Sequence, residues 1–176
     1  MRTIEETAVF IVHAIKQFCF GFEEMDKLAD EYADGSAGKA FFLSAIYQHL
    51  AVFCLIAPEG RPMGGAFYPA LATHGLEELL DPIRPILREP LGWTTFGEVV
   101  RVFRNKALVH PGYSDADLDR IYRDVDMSRP EVARRWHELL VQAYVETKQL
   151  AVRVAKATGR PLSDFGIDEN GAIPSS

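Results

Sequence analysis

The sequence predicts an all-α protein: an up-and-down bundle of four long helices with short helical inserts. Three observations carry that prediction. Apolar residues recur at alternating steps of three and four along several long stretches, which is the spacing of one helix face. A hydroxyl residue stands three positions before an acid at four places: Thr3 and Glu6, Thr95 and Glu98, Ser114 and Asp117, Ser128 and Glu131. In such a pair the hydroxyl satisfies a free amide at a helix start and the acid bonds back to the cap, and each of these pairs precedes an apolar-periodic run. No alternating apolar–polar run of useful strand length appears.

The first helix follows Thr3, with its apolar line at Ile4, Ala8, Ile11, Ile15, Phe18, Phe22, Met25, Ala29 and Tyr32. Gly21 is a weak point inside it. After the turn "ADGSAGK", a second helix from about Lys39 to Ala57 is apolar nearly all round, as suits the middle of a bundle, and Pro58 stops it. Residues 58–69 read as a loop, and "ALATHGLEELL" as a short helix. The prolines of "DPIRPILREPLGW" limit that stretch to a turn or two of helix. The helix after Thr95 buries Phe96, Val99, Val100, Phe103 and Ala107 and ends near His110, before Pro111 and Gly112. A short helix follows Ser114. The last helix starts after Ser128 with Pro130 in its first turn, where proline is tolerated. Its apolar line is Val132, Trp136, Leu139, Ala143, Thr147, Leu150 and Val154, and Gly159 and Pro161 end it. The expected organisation is a single helical domain over 1–160 and a loose tail over 161–176.

The net charge of −6 argues against general duplex-DNA binding, which rests on neutralising phosphates. The charge is unevenly spread. Between Arg84 and His110 the only acids are Glu89 and Glu98, against Arg84, Arg88, Arg101, Arg104 and Lys106. Cys19 and Cys54 lie in apolar helical runs without metal-ligand spacing and read as buried thiols, which fits a reducing compartment. Glu5 and Glu6 precede the first apolar run, so it does not read as a signal peptide. The most apolar stretch, residues 41–57, is short for a membrane span and contains Gln48 and His49. A cytoplasmic protein without membrane partners is expected. None of His13, His49, His74, His110 and His137 has a glutamate three positions before it, so a carboxylate-bridged metal centre of the bundle type is not expected, and no phosphate-binding glycine loop points to a cofactor.

The chemistry-bearing stretch is "VFRNKALVHPGYSD". Arg104 supplies a permanent planar charge suited to a phosphate oxygen. His110 precedes Pro111, which biases it away from helical dihedrals, and the helix end favours the imidazolium. Such a histidine suits proton transfer near neutral pH. Asn105 can position a hydroxyl or phosphate, Lys106 can help hold a polyanion, and Arg101 extends the basic strip. Read without chemistry, the same residues are solvated helix-face cations and a histidine capping the last carbonyls.

The segment "RNKALVH" resembles the Arg-polar-x(3–5)-His signature of the HEPN superfamily, with Arg104, Asn105 and His110 matching position by position. The resemblance implies a small helical bundle that dimerises, with the motif facing a cleft between subunits. It also implies a metal-independent endoribonuclease that uses no cofactor, in the manner of toxins and abortive-infection effectors. Arg104 and His110 would then be catalytic, with Asn105, Lys106 and Arg101 placing the substrate. RNA and a second copy of the chain are the implied partners, with an antitoxin protein as a further candidate. The alternative is a non-catalytic HEPN-like module that binds a nucleotide or a protein.

Overall fold

Two 28-residue helices frame the molecule in a computed structural model that describes residues 2–31, 67–103, 123, 125–126 and 129–173. They are α1 (Ile4–Glu31) and α5 (Pro130–Ala157), which pack along one another. Between them in sequence come α2 (Phe67–Ala72), a 3-10 turn (Glu77–Leu80), α3 (Arg84–Arg88), strands β1 (Pro90–Leu91) and β2 (Thr94–Thr95), and α4 (Phe96–Phe103). A second 3-10 turn (Leu162–Phe165) follows α5. The described residues are mostly helical, with one small two-stranded sheet. The second helix expected over 39–57 and the short helix after Ser114 lie outside the described residues. No helix among the described residues is long and apolar enough to cross a membrane.

The start of α1 is built by the predicted box. Thr3 N–H donates to Glu6 Oε2 at 2.9 Å, and Glu6 N–H donates to Thr3 Oγ1 at 3.2 Å. Two amides that no helical carbonyl can reach are thereby satisfied. Thr3→Ala is expected to lower stability by about 1 kcal/mol, read as a shift of the urea midpoint at constant m-value.

Ala8, Ile11 and Ile15 are buried as the spacing requires, and Thr7, Val12 and Cys19 widen the same face. On α5, Val132, Leu139, Ala143, Thr147, Leu150 and Val154 are buried and Trp136 is half-buried. Thr147 is the polar member of that line, and its hydroxyl donates back to the Ala143 carbonyl at 2.7 Å, so nothing polar is stranded. The end of α5 lies beside the start of α1. Glu5's carboxyl is held below its ordinary value first by its own backbone N–H, then by Thr3, with Arg160 and His74 adding attraction.

Several expectations need correction. The N-cap of α5 is Arg129, in extended backbone, rather than Ser128, which lies outside the described residues. Glu131 pairs with Arg129, whose Nε donates to it at 2.7 Å. The stretch 70–80 is not one helix. α2 begins earlier, at Phe67, inside the expected loop, and stops at a glycine cap. Gly75 adopts φ 67°, Leu76 N–H donates to Leu71 O at 3.0 Å and Gly75 N–H to Ala72 O at 3.1 Å. This is the Schellman pattern, in which a left-handed glycine lets two orphan carbonyls be met.

The same device repeats at Gly166 (φ 63°), with Ile167 N–H on Leu162 O at 3.1 Å and Gly166 N–H on Ser163 O at 2.9 Å. It turns the chain so that Phe165, Ile167 and Ile173 are buried. The segment from Pro161 to Ile173 is therefore packed rather than loose. Its polarity masked three apolar anchors that a local cap aims inward.

The hairpin was not foreseen either. Its strands are two residues long, too short for a period-two signal, and pair as Pro90 with Thr95 and Leu91 with Thr94. Gly92 (φ 61°) takes the positive dihedral that a two-residue turn needs.

Candidate functional site

Helix α4 leads directly into the Arg104 segment, so the site begins with what fixes α4. Phe96, Val99 and Val100 are buried on its inner face. The Phe96 ring packs at a tilt against Trp136 of α5, centroids 5.3 Å apart and planes 59° apart. Thr95, leaving β2, caps the helix by accepting from Glu98 N–H at 3.3 Å. Phe96 N–H donates to Glu89 O at 2.9 Å, tying the helix start to the residue before β1. Arg135 of α5 then bridges the Glu89 and Glu138 carboxylates.

The hairpin, the start of α4 and α5 are thus joined by one ring contact, one backbone hydrogen bond and one ion pair. With side chains 35% and 39% exposed, the Arg135–Glu89 pair is screened by water. Its coupling in a double-mutant cycle of Glu89→Gln and Arg135→Gln is expected to stay below about 1 kcal/mol. A larger coupling would mean that the pair holds the hairpin in place, not only the packing beneath it.

Arg101 lies in the last turn of α4. Arg104, Asn105, Lys106 and His110 lie outside the described residues, as do Phe103's side chain and Ala107, both expected in the core. Of the other histidines expected from the sequence, His74 places Nε2 3.2 Å from the buried Thr7 Oγ1, a structural contact between α1 and the turn after α2. His13 is exposed at the rim of a cavity of about 150 Å³ between α1 and the second 3-10 turn, lined also by Val12, Lys16 and Phe165. His137 is exposed on α5. Among the described residues no group of three or more His, Cys, Asp or Glu side chains is placed to hold a metal ion.

Sequence reading passed over one residue at this end of the molecule. Trp93, at the tip of the hairpin, is 86% exposed. The signal was present as "LGWTT", a glycine turn carrying an aromatic between Leu91 and the Thr94–Thr95 pair, but without the hairpin nothing marked that turn. No family model matches the chain, and neither a curated protein nor a solved structure matches it.

Proposed function

We propose that this chain is a metal-independent endoribonuclease of the HEPN type, a homodimer whose subunits are up-and-down four-helix bundles and whose two motif copies face one cleft. The observation that carries the reading is the segment Arg104-Asn105-x4-His110 directly following α4 and ended by Pro111. It is supported by the cationic bias of residues 84–106 within an acidic chain and by the anchoring of α4 on α5 through Phe96 and Trp136.

In this mechanism a neutral His110 takes the proton of a ribose 2′-hydroxyl. The oxygen attacks the adjacent phosphorus, and Arg104 stabilises the charge gathering on the non-bridging oxygens. A protonated His110 from the second copy gives its proton to the departing 5′-oxygen. The products are a 2′,3′-cyclic phosphate and a 5′-hydroxyl, and the protons balance across the two imidazoles. Asn105 orients the phosphate or hydroxyl, and Lys106 and Arg101 hold the flanking strand. One chain supplies one Arg and one His of the motif, and a two-fold axis supplies the second of each. A cytoplasmic toxin or phage-defence effector, restrained by an antitoxin protein, is the role that fits such an activity.

The test is incubation of the purified protein with a broad RNA panel in excess chelator, comparing wild type with Arg104→Ala and His110→Ala at matched circular dichroism. Cleavage by the wild type that is lost in both variants supports the reading. Absence of cleavage by wild type, or an active His110→Ala protein, removes it. The net charge of −6 favours a second reading, a non-cleaving module that uses the same cleft for a nucleotide or protein partner, and binding without cleavage would identify it.

A further inference from the structure

We propose that Trp93 is a base-stacking residue that holds single-stranded RNA beside the cleavage site. This rests on the endoribonuclease reading and adds a substrate contact to it. An indole left 86% exposed is unusual, because tryptophan is highly buried on average. Trp93 makes no ring contact or hydrogen bond with any described residue.

The backbone that carries the indole is nevertheless pinned. Two-residue strands close a tight turn with Gly92 at φ 61°, Leu91 is buried beneath, and Arg135 and the Phe96 N–H both grip Glu89 at the base. A tryptophan on such a backbone has only two side-chain torsions to fix on binding. The surroundings decide what it binds. A protein-docking tryptophan sits within a patch of contacts that exclude water. On the hairpin it is flanked by Gly92 and Thr94, with Pro90 exposed, and no second large apolar side chain is exposed there. A nucleobase needs only a π-face, and stacking tolerates any base.

Position agrees with this assignment. Trp93 precedes α4 and Arg104 follows it, and eight helical residues span about 12 Å. On the endoribonuclease reading, this sequence order puts a base on Trp93 within a few nucleotides of the phosphate that Arg104 would hold.

The test uses a fluorescein-labelled 2′-O-methyl oligoribonucleotide, which lacks the attacking hydroxyl and so binds without being cut. Anisotropy is read for wild type, Trp93→Ala and Trp93→Phe, with cleavage kinetics on the unmodified RNA. Trp93→Ala is expected to weaken binding on the order of 10- to 100-fold and to raise KM with little change in kcat. Trp93→Phe should recover most of the affinity, and a matched RNA duplex should be insensitive to both changes. Equal binding by wild type and Trp93→Ala overturns the stacking assignment while leaving the endoribonuclease reading standing. No binding and no cleavage by wild type overturns both. Conversion of a dimer to a monomer by Trp93→Ala, seen by light scattering, assigns the indole to a protein interface and also overturns it.

Discussion

Alanine at Arg104 or at His110 is expected to lower metal-independent RNA cleavage by about 10²- to 10⁴-fold each. The two losses have different origins. Removing Arg104 takes away a charge that is most valuable when the phosphorane oxygens carry extra negative charge, so kcat should fall more than binding. Removing His110 deletes both the base of one copy and the acid of the other, so its variant should be the less active of the two. Two histidines that act in opposite protonation states also predict a bell-shaped dependence of kcat/KM on pH, absent in His110→Ala. Arg104→Lys separates charge from geometry: it retains the charge but loses the planar fork, and recovery of less than a tenth of the activity is expected. Mixed dimers of wild-type and His110→Ala subunits test the shared cleft, because one imidazole then remains where the mechanism uses two. A mixed dimer far below half the wild-type rate supports two copies working together, and one at half that rate or above opposes it, measured as initial rate after subunit exchange.

The largest expected loss of stability comes from Phe96→Ala. Phe96 is fully buried, contacts Trp136, and sits at the first position of α4 where the hairpin, the helix and α5 meet. Truncation removes the ring's burial and leaves a cavity that the neighbouring strand and helix cannot fill without moving. The cost is about 3–5 kcal/mol, or on the order of 10 °C in the thermal midpoint for a chain of this size. Phe96→Leu, which keeps most of the volume, should cost less than half of that. Because the same ring fixes α4 on α5, Phe96→Ala should also depress cleavage at temperatures where the protein remains folded. Chemical denaturation in a Trp93→Phe background, with Trp136 fluorescence as the probe, checks both the energy and the place, since the indole loses its ring neighbour. A cost below about 1 kcal/mol would mean that α4 is held from elsewhere.

The long helices were legible for a simple reason. A face 28 residues long repeats its apolar spacing many times, and the line from Val132 to Val154 could be read from order alone. The Thr3–Glu6 box was legible because its partners are three residues apart and nothing distant takes part. Short elements carry no such repetition. The hairpin is visible only through pairing, and the break at Gly75 looked like any glycine until Leu76 and Leu71 closed the cap. For the candidate site, the sequence marks Arg104, Asn105 and His110 as a motif. The structure describes the helix leading to it and not those residues, and it adds Trp93, whose exposure is a property of the folded hairpin.

Local order by itself therefore determined the helical class, the two framing helices, the buried face of α5 and of α1 as far as Cys19, and the caps made by near neighbours. Those features depend on interactions within a few residues, which composition and spacing encode directly. Only the tertiary structure decided that Glu89 meets Arg135, that Phe96 packs against Trp136, that the segment after Pro161 folds back to bury Ile167 and Ile173, and that Trp93 stands in solvent. These depend on which surfaces meet at long range. There the gain is a water-excluding contact between residues far apart in sequence, and no local pattern records its partner.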